Sequence, residues 1–482
     1  MKKNKIIIFS FLLLSLAGCK KVIDVKETDL IAGEIALKTV TNNEQGVIGA
    51  YAALTVDMDI LFNGVMSDEL RVADFYNSAT VHEWQFGTTD IVVRDNYTAF
   101  NLYYRVIDRV NRVLQALPKA VSTGKTPAEV AADDALKLKL RGEALFLRAF
   151  CHFELYRYYS NSAVGTDLAM AYMEIPSLVP QQRITVTPYM TKLKADIAEA
   201  KGLLPAYSST GDIGRANKIA AAGLQARVAL YLKEWSDAVT YSNEYIAAIP
   251  LSPSAQFGAI WTDANKNEVA FKIIRTTATG RLGSLYRGTS ANATATGLGT
   301  ITWRPSDKLW NMFDKVNDVR FAAYLKDEPL AAARSSTKLI AKYAGTGYAT
   351  TAENVADQKV FRTGEMYLIR AEAKAEGNDL TGAAADLNTL RAARITGYVN
   401  VALATKDAAI NEIMDERFKE LAFEGHRIFD LKRRNLPVSR LAADAPTTGA
   451  QTLAAGNFRF LLPIPGAEVQ ANPTIQQNAG YN

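Results

Sequence analysis

The stretch from Asp133 to Ser160 restricts the possible folds more than any other part of the chain. Leu140, Ala144, Leu147, Cys151, Leu155 and Tyr158 recur at three- and four-residue spacing, which puts them on one face of an α-helix. Phe146, Phe150 and Phe153 form a second apolar row. A helix apolar on two sides must lie between neighbours, so the pattern predicts stacked helical hairpins rather than a surface helix.

The local pattern returns elsewhere. Gly142-Glu143 leads to Arg148-Ala149, and Gly364-Glu365 leads to Arg370-Ala371 at the same spacing. Ala226-Arg227-Val228, followed by Tyr231-Leu232, Trp235 and Ala238, is a looser copy without the Gly-Glu pair. After Arg370, the small residues Ala373 and Ala383-Ala384 flank a turn at Gly377-Asn378-Asp379, which is the grammar of a tetratricopeptide-type hairpin. Asp95 to Leu117, stopped at Pro118, and Thr41 to Leu54 read as further helices. Gly-, Ser- and Thr-rich segments at 64–95, 206–214 and 276–302 read as long loops, and Glu268 to Ile274 as a short strand. The expected fold class is therefore mainly α, with tetratricopeptide-like helical hairpins, long irregular loops and minor β.

The first nineteen residues carry an export signal: basic Lys2, Lys3 and Lys5, an apolar run from Ile6 to Leu16, then Ala17-Gly18 before Cys19. A membrane-spanning helix needs about 20 apolar residues, so this run is too short to stay in the bilayer. Leu16-Ala17-Gly18-Cys19 resembles the bacterial lipobox, in which the peptide is cut before the cysteine and the thiol is acylated. The expected organisation is a signal peptide at 1–18 and a single domain at 19–482 anchored through Cys19, because helical-repeat architectures run long as one unit.

Cleavage would lower the formal net charge of +5 by the three lysines of the signal. No basic cluster stands apart from acids except Lys432-Arg433-Arg434, read as a solvated helix end, so nucleic acid is not an expected partner. With 48% hydrophobic and 22% charged residues the chain has ample material for a core, and with only Cys19 and Cys151 it has no disulfide framework.

Near the C-terminus, Glu416-Arg417-Phe418-Lys419-Glu420-Leu421-Ala422-Phe423-Glu424-Gly425-His426-Arg427-Ile428-Phe429-Asp430-Leu431-Lys432-Arg433 is very similar to a signature of the SusD/RagB family. A second block follows, with Leu462-Pro463-Ile464-Pro465, Glu468, Asn472-Pro473 and Gln477-Asn478-Ala479-Gly480-Tyr481. The resemblance extends over the mature chain through Val22 to Lys26, the helix carrying Asn111, Arg141 to Tyr159, and Trp303-Arg304-Pro305-Ser306 leading to Asp318-Val319-Arg320. It implies a lipid-anchored outer-membrane protein facing the cell exterior. Such a protein binds oligosaccharide or peptide cargo and passes it to a SusC-like TonB-dependent transporter, without catalysis or cofactor.

Sugar C–H faces pack on aromatic rings and hydroxyls need directional partners, so cargo binding calls for rings and planar polar groups on loops. The segment Asp68 to Asp90 offers Arg71, Tyr76 and Trp84, and the segment Thr276 to Trp310 offers Tyr286, Trp303 and Arg304. The resemblance implies that these two regions flank the ligand site. The Glu416–Asp430 block reads as ion pairs fixing helix ends, with Ile410, Met414, Phe418 and Leu421 as its apolar stripe. The three histidines, His82, His152 and His426, are too scattered to suggest a metal site. Two other classes of function stay open. In a helical glycoside hydrolase, Asp68, Glu69, Asp74 and Asp90 would supply paired carboxylates. A tetratricopeptide scaffold would bind proteins but no small cargo.

Overall fold

Thr126 and Glu129 open the long helix with a reciprocal capping box, and Pro127 fits its first turn because its missing N–H has no intrahelical partner there. The computed structural model describes residues 36–73, 78–97, 99–160, 163–278, 281–286, 301–329, 336–345 and 352–481. Cys19 and the signal peptide lie outside the described residues, as does Tyr76.

The helices that shape the molecule are α1 (Val40–Ala53), α2 (Asp57–Met66), α3 (Ala99–Ala116), α4 (Pro127–Tyr159), α5 (Val186–Leu203), α6 (Lys218–Leu232), α7 (Trp235–Ala248), α8 (Thr363–Glu376), α9 (Leu380–Ala392), α10 (Lys406–Glu420) and α11 (Arg427–Arg433). Neighbours pack in series: α1 and α3 on α4, α4 on α5, α5 on α6, α6 on α7, α7 on α8, and α8 on both α9 and α10. The sandwiched position expected for α4 is observed, since from Gly142 to Tyr159 every residue is buried. Strands are few and form two-stranded antiparallel ribbons among the described residues: β1 (Leu70–Val72) with β3 (Trp303–Pro305), β2 (Val269–Ile273) with β6 (Gln358–Arg362), β4 (Leu325–Asp327) with β5 (Lys338–Ile340), and β7 (Val438–Ser439) with β8 (Thr452–Leu453). The expected strand at 268–274 is β2.

The repeated Gly-Glu and Arg-Ala residues serve the contacts between hairpins. At Gly142 a Cβ would stand 3.0 Å from Leu203 Cβ and 3.2 Å from Leu204 N, so glycine lets α4 and α5 approach. Arg148 holds Asp196 of α5 through two bonds of 2.6 Å, and Arg370 holds Asp386 of α9 at 2.6 and 2.9 Å. The looser copy contributes Arg227, which grips Glu365 of α8 through two bonds of 2.7 Å.

Three features differ from expectation. The helix expected from Asp95 begins at Ala99, because a separate short helix capped by Asp90 occupies Ile91–Asn96. The expected loop at 64–95 contains the end of α2, strand β1 and two short helices. Lys432-Arg433-Arg434 is not a solvated helix end. Arg433 bonds Glu372 and Asp430, Arg434 bonds Glu376, and Lys432 reaches the carbonyls of Arg157 and Ser160. These cations lie against the C-terminal carbonyls of α4 and the acids of α8, partners hundreds or tens of residues away in sequence.

Candidate functional site

The β1–β3 ribbon brings the two expected cargo segments side by side. Its register pairs Leu70 with Pro305, Arg71 with Arg304 and Val72 with Trp303, and the Ala73 N–H continues the ladder to the Thr302 carbonyl at 3.0 Å. Residues 74–77 and 287–300 lie outside the described residues. Two arginines facing each other across a ribbon would repel, so each is held by its own acceptors. Arg71 reaches Asp307 at 3.0 Å, and Lys338 shares that carboxylate at 2.5 Å. Arg304 donates to the carbonyls of Ser336 and Lys338 at 2.5 and 2.9 Å.

The root of the ribbon is bound by the C-terminal signature. Asp68 is buried and receives Arg427 through bonds of 2.8 and 2.9 Å, with Lys308 at 2.7 Å. Burial pushes its carboxyl up, but Arg427 and then Lys308 hold it far below the usual range. Next to it, Glu69 takes the Phe423 N–H at 3.2 Å. Burial, aided by the like charge of Asp68, raises Glu69 to about 8. Asn63 accepts from the Ile428 N–H, and Gly425, at φ 82°, packs against the backbone of Asp59.

Glu69 makes the site's stability depend on pH. Its folded pKa lies above the unfolded value near 4.5, so as pH rises from there toward about 8 the unfolded chain loses a proton that the folded chain keeps. This contribution to stability is intact below 4.5 and is eroded toward 8. Glu69→Gln is expected to flatten that decline in urea titrations repeated across the range. An unchanged pH dependence in the variant would refute the assignment.

Of the six expected cargo residues, the ribbon and its surroundings place five, and Tyr76 lies outside the described residues. Arg71 is partly exposed at the surface. Trp84, Trp303, Tyr286 and Arg304, expected on exposed loops, are buried instead, with Trp84 at 4% exposure and the other three at 1%. Trp303 lies 5.0 Å from the His82 ring, and Trp84 donates to the Met66 carbonyl at 3.0 Å beneath the Arg440 guanidinium. Tyr286 packs on Phe423. Large rings beside a closed ribbon remove more apolar area from water by turning inward than by standing free, and here the core accepts them. Sequence reading missed Asp307, Lys338 and Lys308 as supports of the ribbon. The Ser306 side chain capping the turn after Pro305 was the local signal available, since it accepts from Leu309 N.

The acids considered for hydrolysis have other partners. Asp68 is paired, Glu69 is buried, Asp90 caps a short helix through the Val93 N–H at 2.9 Å, and Asp74 lies outside the described residues. His82 and His152 are each lowered to about 3 by burial, and His426 is held well below its ordinary value, so all three are neutral near pH 7. No group of three or more His, Cys, Asp or Glu side chains is placed to hold a metal among the described residues.

The signature block also forms an interior charge cluster. The side chains of Arg320, Lys342, Arg362, Arg391 and Arg394 meet those of Glu268, Asp318, Glu416, Glu420 and Glu424 and are removed from water with them. Glu420 alone touches Arg320, Arg362 and Arg394 at 3.0 to 3.1 Å. A Cβ at Gly364 would collide with the Glu420 carboxylate, which explains one of the two repeated glycines.

Comparison with known proteins agrees with this architecture. The pattern of the SusD family matches residues 326–481, and that of a family described as starch-binding and associating with the outer membrane matches residues 27–230. Two SusD-like proteins of Formosa agariphila are 22% and 24% identical, each alignment covering 100% of this chain and 99% or 100% of the relative. Among solved structures, a SusD superfamily protein from Bacteroides vulgatus superposes with a TM-score of 0.78 at 22% identity, covering 92% of this chain and 100% of that one. A SusD-like carbohydrate binding protein from the same organism gives 0.75 at 20% identity, covering 91% and 97%.

Proposed function

Because this chain belongs to the SusD/RagB family of outer-membrane nutrient-binding proteins, we propose that it captures an oligosaccharide at the cell surface and hands it to a SusC-like TonB-dependent transporter. Members of the family bind rather than catalyse. The observation that carries the reading is the match of family patterns at both ends of the chain, with the two ends joined in space where Arg427 of the C-terminal signature holds Asp68 at the root of β1. The starch-binding description of the N-terminal pattern and the carbohydrate-binding neighbour support a glycan over a peptide as cargo. The lipid anchor belongs at Cys19, and attachment through acyl chains keeps the domain at the membrane it serves.

Cargo meets the β1–β3 ribbon at Arg71, and Tyr76, five residues later in the sequence, is the aromatic partner proposed for it. Trp84, Trp303, Tyr286 and Arg304 act from beneath, keeping the ribbon in register. A charge-assisted hydrogen bond contributes about 1.5–3 kcal/mol, so Arg71→Ala should weaken cargo affinity by roughly tenfold or more. Asp307 keeps Lys338 as its partner in that variant, so the fold should survive. The test is calorimetric titration of the chain from Lys20 onward with a panel of oligosaccharides and peptides, with product analysis of each mixture. Saturable binding of one glycan class without turnover, weakened by Arg71→Ala, is the expected result. Binding of peptides alone would change the cargo class. Release of reducing ends would overturn the non-catalytic reading, and equal affinity in the variant would remove Arg71 from the site.

A further inference from the structure

An open groove of about 900 Å³ runs between α1 and α3 at the point where the described chain begins. Its lining includes Lys38, Arg109, Arg112 and Lys119 and contains no Asp or Glu. All four cations are exposed. Arg112 shares the exposed carboxylate of Asp108 at 2.8 Å, and Arg109 donates to the Gly49 carbonyl at 2.7 Å. Lys38 and Lys119 have no carboxylate within ion-pair distance among the described residues. One acid therefore stands against four positive charges, whereas the interior cluster around Glu420 matches five with five.

The opposite wall is uncharged. Gly46 and Gly49 present it from α1, and a Cβ at Gly49 would meet nothing within 4 Å. The groove is thus broad and shallow on one side and cationic on the other. Arg105, exposed on the same helix, precedes Arg109 and Arg112 at the four- and seven-residue spacing that continues the basic stripe along α3. Ala36 and Leu37 form its end, and Cys19 lies only seventeen residues earlier in the sequence. A chain of that length reaches at most about 60 Å, so the tether joins the domain at this groove and lets the face reach a bilayer that holds Cys19.

We propose that this groove is the face the protein lays against anionic lipid headgroups, with Lys38, Arg109, Arg112 and Lys119 meeting their phosphates. The inference rests on the outer-membrane reading but not on the identity of the cargo. A basic patch beside an acyl anchor adds a second attachment and orients the domain, because each Lys or Arg near an anionic surface contributes favourably within a Debye length. The anchor alone leaves the domain free to tumble on its tether, whereas the patch selects one face.

The chain from Lys20 onward, which retains every residue of the described fold, is sedimented with vesicles of phosphatidylcholine alone or with phosphatidylglycerol admixed. Binding to the anionic vesicles only, weakened by salt, is expected. Arg109→Gln, Arg112→Gln and Lys119→Gln combined should lower the partition coefficient on the order of 100-fold, at about fivefold for each neutralised charge. A control variant with Lys218→Gln, Lys233→Gln and Lys315→Gln removes the same charge from exposed positions elsewhere and should bind like the parent. Equal loss in both variants would reduce the effect to net charge and overturn the proposal. So would binding to neutral vesicles, or no binding to anionic ones. Because no cargo is present, these outcomes are separate from the calorimetric test of nutrient capture.

Discussion

Replacing Glu420 by Ala is expected to cost about 3–5 kcal/mol of stability, because it leaves a buried cation without its counter-charge. Glu420 is fully buried and is shared by Arg320, Arg362 and Arg394. Removing it turns a cluster of five cations and five carboxylates into one with a surplus positive charge that water cannot reach. The remaining carboxylates already have their own partners: Glu416 with Arg391, Glu424 with Lys342, and Asp318 with Arg320. Urea unfolding of the variant tests this directly, and a loss below about 1 kcal/mol would place the pair energies at surface levels.

The same cluster sets the acid limit of the fold. Burial pushes Glu416 up, but Arg320, then Lys419 and Arg391, bring it down to about 2, and Glu420 and Glu424 are likewise lowered. With folded values below the unfolded ones, this stability is present above about 4.5 and is lost as pH falls toward 2. At low pH the Glu420→Ala variant should therefore lie closer to the parent than it does near neutrality.

Trp303→Ala and Trp84→Ala are each expected to cost about 3–5 kcal/mol, the usual range for removing a buried large aromatic side chain. Trp303 is 1% exposed beside His82, and Trp84 is 4% exposed with its indole N–H on the Met66 carbonyl. Loss of the Trp84 ring also uncovers the guanidinium of Arg440, 4.2 Å from the ring centre, whose bonds tie Val65, Met66, Ser67 and His82 together. The double exchange should unfold the chain before any cargo measurement is possible. Trp303→Phe separates packing from recognition, since it keeps most of the apolar volume. A Trp303→Phe protein with parental stability and no cargo affinity would show that the indole touches cargo after all.

Sequence periodicity was sufficient for the helical framework. The rows Leu140 to Tyr158 and Phe146 to Phe153 state that α4 is buried on both sides, and a helix reports its own surroundings every three or four residues. The paired Gly-Glu and Arg-Ala segments likewise marked where hairpins meet. The Glu416–Asp430 block was legible as ion pairing, because acids and arginines interleaved on a helical stripe have few other uses, and Arg417 does hold Asp430 at 2.9 Å.

The partners and the exposure of particular side chains were settled only in three dimensions. Arg71 meets Asp307 across 236 residues, and Arg427 meets Asp68 across 359. No local pattern encodes such pairs, because the choice among dozens of acids depends on which helices stack. For the same reason, Trp303 and Trp84 read as loop aromatics in sequence and became interior rings once β1 and β3 closed into a ribbon. By itself the sequence determined the helical hairpins, a feature written in spacing and local chemistry. Tertiary structure decided which charges neutralise one another and which face of α3 keeps its arginines in water, because burial and Coulomb energy depend on distance in space rather than along the chain.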